Sequence, residues 1–125
     1  MIYADLHVHT NHSDGICEIR DVLSMAKEKG IKAIAITDHD TVDQFDEVKR
    51  IGDKLGIETI KGVEMSCYDK DVYKKVHVIG LWLNDVTPNI KQLCDETLRC
   101  RNNYHKELIK AVSYTHLTLP TNSRV

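Results

Sequence analysis

The chain has 125 residues, with 19 aspartates and glutamates against 17 lysines and arginines, a formal net charge of −2. That balance excludes a basic nucleic-acid-binding arm and an acidic tail, and a content of 42% hydrophobic and 29% charged residues excludes a disordered chain. The unusual count is seven histidines.

The N-terminus, MIYADLHVHT, lacks a basic leader and a small-residue cleavage site. No apolar run approaches the roughly 20 residues that a membrane span needs, so the chain is expected to be cytoplasmic. Cys17, Cys67, Cys94 and Cys100 are scattered without a CxxC pair. They read as reduced thiols filling small buried apolar sites.

Period-2 and period-3.6 patterns alternate along the chain, the pattern of βα units around a largely parallel sheet. The first strand is expected over 2–9, with Ile2, Ala4, Leu6 and Val8 on one face and Tyr3, Asp5, His7 and His9 on the other. After a polar loop over 10–15, Ile19, Val22, Leu23 and Ala26 mark an amphipathic helix stopped near Gly30. The second strand, 31–37, is apolar on both faces, as a parallel strand covered by helices should be. Thr41 and Gln44 form a capping-box pattern ahead of a helix carrying Phe45, Val48, Ile51 and Leu55 and ending at Gly56. Short strands are expected over 57–60 and 63–66, and another over 76–83 after a charged turn. Thr87 and Pro88 read as a cap followed by a first-turn proline. The last helix, with Ile90, Leu93, Cys94, Thr97, Leu98, Arg101, Leu108 and Ile109, is expected to end near Val112. Beyond Ala111 the string VSYTHLTLPTNSRV has neither period and resembles the translation of a transposon-derived sequencing adapter. Residues 1–111 are therefore expected to be native and 112–125 a foreign tail, which removes His116 from the functional count.

The chemistry-bearing residues fall at strand ends or in the loops just after them. His7 and His9 at i and i+2 project to one side of a strand, and Asp14 follows in a loop able to fold back over it. The second strand ends in Thr37-Asp38-His39-Asp40, a later one supplies Glu64, and the last carries His77. Imidazole and carboxylate form a hard-to-borderline ligand set suited to Mn, Fe or Zn. In parallel α/β folds the strand C-termini converge on one face, so spacing in sequence becomes proximity in space. Asp5, Asp38 and Asp40 flank these histidines and are candidate orienting partners for them.

The motifs DLHVHTNHSDG (5–15), AITDHDT (35–41), GVEMS (62–66) and VHVIGLW (76–82) resemble those of the PHP family, the polymerase and histidinol phosphatase family of metal-dependent phosphoesterases. The likeness is strongest to the stand-alone 5′-3′ exoribonuclease and 3′,5′-nucleotide bisphosphatase subgroup, where an HxIGL strand precedes a helix with closely spaced arginines. Arg99 and Arg101 resemble that feature and are expected to bind substrate. The resemblance implies an α/β fold forming the N-terminal half of a distorted (βα)7 TIM-like barrel. It also implies three divalent metals in an intact site. His7 and His9 would hold one, Asp14 and His39 another, Glu64 would bridge, and His77 would join the third. No side chain is assigned as catalytic beyond a metal-bound hydroxide attacking phosphorus.

The family completes its site with a further His and an Asp-x-His pair that this chain lacks, so the chain by itself is expected to be inactive and a longer parent protein active. The near-neutral charge disfavours duplex nucleic acid. The expected substrates are nucleotides or oligonucleotide 5′ ends. The alternatives are a histidinol-phosphatase-like sugar or amino-alcohol phosphatase, an amidohydrolase-type barrel, and a non-catalytic module attached to a polymerase.

Overall fold

A computed structural model describes residues 2–72, 74–84 and 88–116. The elements run β1 (Ala4–Val8), α1 (Ile19–Glu28), β2 (Ala33–Ile36), α2 (Phe45–Leu55), β3 (Glu58–Asp69), β4 (Lys74–Leu81) and α3 (Pro88–His116). The strands form one sheet in the order β1-β2-β3-β4, curled into half of a barrel. β1, β2 and β3 are parallel, whereas β3 and β4 pair antiparallel over eight residue pairs from Gly62↔Leu81 to Asp69↔Lys74. The departure from an all-parallel sheet has a simple cause. Only a few turn residues separate β3 from β4, far fewer than the dozen or so that a parallel crossover requires.

Two expected strands, 57–60 and 63–66, are one continuous strand of 12 residues. Gly62 does not break it, because it is a close-approach site. A Cβ there would lie 2.8 Å from Thr37 Cγ2 and 3.1 Å from Leu81 Cδ2.

Side chains sort into an inner and an outer layer. Ala33, Ala35 and Ile60, with Ala4, Leu6 and Leu81 packed against them, fill the concave face. Ile34 and Ile36 point outward into the larger cluster formed with Ile19, Val22, Leu23, Ala26, Val48 and Ile51, the buried stripes of α1 and α2. A third cluster of Val42, Phe45, Val63 and Cys94, joined by Met65, Leu83 and Ile90, fastens the start of α3 to the outside of β3.

Strict alternation fails in β1, and the failure matters for the site. Asp5 pairs with Ile34 and Val8 with Ile36, so three steps along β1 match two along β2 and the register shifts between them. Val8 therefore leaves the face of Ala4 and Leu6 and packs with Ile36 in the outer core. An extra residue of this kind re-aims the side chains that follow it. Here it turns His7 and His9 toward Glu64 on the concave side.

The helix ends follow the expected signals in part. Gly56 caps α2 in the left-handed conformation and Gly30 follows α1 with φ of 76°. The expected Thr41–Gln44 capping box does not form, because α2 starts later: Gln44 itself takes the N-cap position without a side-chain cap bond, while Thr41 Oγ1 accepts from Asp43 N–H and Gln44 Nε2 donates to the Thr41 carbonyl. Thr87 lies outside the described residues, and α3 begins at Pro88. That helix runs to His116, past the expected end at Val112, so 113–116 continue it. The cysteines are all free, but only Cys94 is buried; Cys67 and Cys100 are exposed and Cys17 is partly so. Among the described residues no helix is long and apolar enough to cross a membrane.

Leu23 is fully buried between α1 and the sheet, and Ile16 is 95% exposed. Leu23→Ala should cost about 2–5 kcal/mol and Ile16→Ala less than about 0.5 kcal/mol. Urea unfolding followed by circular dichroism checks the contrast, and equal midpoints for the two variants would refute the packing described.

Candidate metal centre

Four imidazoles and two carboxylates meet where the ends of β1 and β2 approach β3 and β4. The backbone brings them there. Beyond the end of β2, His39 forms a parallel bridge with Glu64, with Asp40 N–H donating to the Glu64 carbonyl at 2.9 Å and Glu64 N–H to the Asp38 carbonyl at 3.2 Å. Ser66 and His77 face each other across the β3–β4 ladder, which puts His77 two residues along the same face from Glu64.

Glu64 is the hub. Its Oε2 lies 3.0 Å from His7 Nε2, 2.8 Å from His9 Nε2 and 3.7 Å from His39 Nε2, while Oε1 is 3.2 Å from His77 Nδ1. Asp14 forms the second bridge, with Oδ1 3.3 Å from His9 Nδ1 and Oδ2 3.2 Å from His39 Nε2. Burial acts to raise the Glu64 carboxyl, but the His7 hydrogen bond and the charges of His39, His7 and His9 outweigh it and hold the group below its usual range. Asp14 is lowered in the same way, with desolvation opposed by His39 and His9.

The donor set suits cations. His7 Nε2 and His9 Nε2 are 3.0 Å apart and both face Glu64 Oε2. Two neutral imidazoles cannot both point lone pairs at each other and at a carboxylate, so a proton or a cation must lie among them. Three overlapping triplets have ligand atoms within 4.8 Å of one another: His7, His9 and Glu64; His9, Asp14 and His39; His39, Glu64 and His77. Nitrogen and oxygen donors without thiolate match Mn, Fe or Zn, and each triplet leaves coordination positions for solvent or substrate.

The flanking aspartates bond backbone amides, hydroxyls and one guanidinium rather than imidazoles. Asp38 is fully buried and accepts from Thr10 N–H at 2.7 Å, Thr10 Oγ1 at 2.6 Å and Ser13 Oγ at 2.7 Å, which folds the loop bearing Asp14 over the end of β1. Gly15 closes that loop, because a Cβ there would sit 2.8 Å from the His9 carbonyl oxygen. Asp40, also buried, adopts φ of 52°, a conformation that asparagine and aspartate tolerate better than most residues. It accepts from Ser66 N–H at 2.8 Å, from Ser66 Oγ at 2.7 Å and from Arg101 Nη2. Desolvation would raise its carboxyl, but Ser66 and Arg101 together keep it low. Asp5 accepts from the His7 backbone N–H at 3.3 Å and likewise has no ring contact.

The two arginines separate. Arg101 reaches Asp40 and Ser66 and borders a cavity of about 660 Å³ shared with Asp14, His39 and His77. Arg99 does not join it. Two residues along a helix turn a side chain by about 200°, and Arg99 lies beside Lys91, Asp95 and Glu96 on another surface. His12 stands 3.9 Å from Glu47 and His105 beside Tyr104, both away from the cluster. Thr10, Ser13 and Ser66 were missed as anchors. Ser66 lies within the GVEMS motif, but its partner Asp40 is 26 residues upstream, and nothing in the spacing pairs them.

Comparison with known proteins places these residues in a wider set. The family model described as PHP domain matches residues 5–124, a span that includes most of the segment expected to be foreign. A phosphoribosyl 1,2-cyclic phosphate 1,2-diphosphodiesterase of Eggerthella lenta is 37% identical over 98 residues, covering 78% of this chain and 37% of that protein. A 5′-3′ exoribonuclease of Haemophilus influenzae is 33% identical over 89 residues, covering 71% of this chain and 32% of its own length. The chain thus spans about a third of each. Among solved structures, a protein of Bifidobacterium adolescentis assigned as a metal-dependent phosphoesterase superposes with a TM-score of 0.80 at 27% identity, over 90% of this chain and 38% of that one. An amidohydrolase of Chromobacterium violaceum gives 0.77 at 26% identity, over 84% and 36%.

Asp38→Ala removes the acceptor for three donors at once and should cost about 3 kcal/mol. Hydrogen exchange should show the amides of Thr10 and Gly15 losing protection first. A variant with unchanged stability and unchanged protection there would show that Asp38 does not hold the loop.

Proposed function

Because the chain belongs to the PHP domain family, we propose that His7, His9, Asp14, His39, Glu64 and His77 hold divalent metal ions, up to three in a complete site, and that the protein hydrolyses phosphate esters. The observation that carries this reading is the set of three ligand triplets overlapping at Glu64, His9 and His39. When bound, such ions supply Lewis acidity toward phosphoryl oxygens and lower the pKa of a coordinated water toward neutrality.

The chain's own residues prepare the site. Glu64, shared by two triplets, draws the imidazoles together and offsets cationic charge. Asp38 and Asp40 hold the two ligand-bearing loops so that little rearrangement is needed on metal binding. Arg101, paired with Asp40, sets one wall of the cavity beside Asp14, His39 and His77, where it is placed to meet a substrate as expected from sequence.

Nucleotides and oligonucleotide 5′ ends are the substrates this reading favours. Two relatives are named for phosphodiester chemistry on ribose phosphates or RNA, and the net charge of −2 offers no broad basic surface for duplex. Against an amidohydrolase stands the phosphoesterase assignment of one solved neighbour, although a second carries the amidohydrolase name.

Elemental analysis after dialysis against Mn²⁺ or Zn²⁺ should find metal bound to the chain. Glu64→Gln, which keeps shape and removes charge, should weaken binding at least about 100-fold, as should His9→Ala. In any longer form carrying these residues, phosphodiester cleavage should fall with metal content and amide substrates should remain untouched. Full metal retention in Glu64→Gln would overturn the assignment, and amide turnover would move the protein to the other hydrolase class.

A further inference from the structure

Core packing accounts for Cys94, which is 2% exposed, and in part for Cys17, which packs with the outer core. It does not account for Cys67 on β3 and Cys100 on α3, which are both exposed. These two share a space, because each lines the cavity that holds Asp14, His39 and His77.

Alternation along β3 puts Cys67 on the face of Val63 and Met65, which pack with Ile90 and Cys94 of α3. Cys67 also lines a smaller cavity of about 220 Å³ between the two elements, together with Met65, Cys94 and Thr97. Cys100 follows Thr97 by three residues, so it lies about one turn further along the same side of α3. One contact aligns the two segments: Ser66 Oγ accepts from Arg101 Nη2 at 2.9 Å. Cys67 and Cys100 are the chain neighbours of that touching pair.

A disulfide needs Cα atoms within about 7 Å of one another. The cavities beside Cys67 leave room for α3 to approach. Residues 102–110 are all exposed, so the helix just beyond Arg101 carries no buried anchor to resist the movement. Cys94 is the poorer partner, since burial pushes its thiol up and shields it from oxidants.

We propose that Cys67 and Cys100 are a redox pair, which a hydroperoxide joins into a disulfide that fastens α3 to β3 beside the imidazole cluster. Peroxide converts one thiol to a sulfenic acid as its O–O bond breaks and one water leaves. The other thiol then attacks that sulfur, the S–S bond forms and a second water leaves, so two electrons pass from the thiols to the peroxide. Neither cysteine belongs to the imidazole cluster, and the reaction is the same whatever the cavity binds.

The test uses the full 125-residue chain, reduced, freed of metal with a chelator and treated with a small excess of hydrogen peroxide. Monomer is isolated without reductant and digested with trypsin. Cleavage after lysine and arginine leaves the four cysteines on separate peptides, 1–20, 62–70, 92–99 and 100–101, so each pairing has its own mass. Peptide 62–70 should be found joined to 100–101, and dithiothreitol should release it. Cys67→Ser and Cys100→Ser should each abolish the link, and Cys94→Ser should keep it. Oxidation should also slow hydrogen exchange of the α3 amides from Cys100 to Tyr104 by about tenfold or more, with no slowing in Cys67→Ser. Peptide 62–70 joined to 92–99 instead, or thiols carried to sulfinic acid without a link within the monomer, would overturn the pairing. A Cys67–Cys100 link that leaves α3 exchange unchanged would show that it does not fasten the helix.

Discussion

A carboxylate with four imidazoles around it is the interaction on which this molecule is organised. Glu64 is only 6% exposed, and a buried carboxylate without compensation carries a large desolvation penalty. Compensation comes from β1 through His7 and His9, from the segment after β2 through His39, and from β4 through His77. One side chain therefore ties together all four strands of the sheet. The cluster is crowded with nitrogen and oxygen lone pairs, a donor set that suits a cation.

Around that centre the fold works chiefly through backbone clamps. Asp38 folds the Thr10–Gly15 loop over the end of β1, and Asp40 draws the segment after β2 against Ser66 on β3. Arg101 extends the second clamp to α3, so the helix that packs outside β3 also helps to hold the site. These aspartates are buried, and their acceptor oxygens go to loop amides, hydroxyls and a guanidinium rather than to the imidazole rings. Rigid ligands on loops need such support, because a loop has no ladder of its own.

The family assignment and the site geometry support one another without being the same statement. Family membership rests on a match along nearly the whole chain. The metal reading rests on the distances among six side chains. What these say about substrate is narrower, because the chain spans about a third of relatives whose names carry specific activities.

Much of this was legible in the sequence for a local reason. The apolar stripes of α1 and α2 follow from 3.6-residue spacing, and each of the six clustered residues lies in a short motif whose neighbours place it at a strand end or beside one. Other features depend on partners distant in the chain. The register shift in β1 is set by pairing with β2, and it sends Val8 into the outer core, against the alternation read from the strand alone. Arg99 and Arg101 look equivalent in sequence, yet only Arg101 meets Asp40, 61 residues upstream. The antiparallel hairpin and the true partners of Asp38 and Asp40 belong to the same group. Sequence alone determined which residue types were available and which local periods they follow, because helix and strand geometry repeat over a few residues. Tertiary structure decided which way the side chains at the strand ends point and what they touch, because those contacts are made between segments whose separation along the chain carries no geometric information.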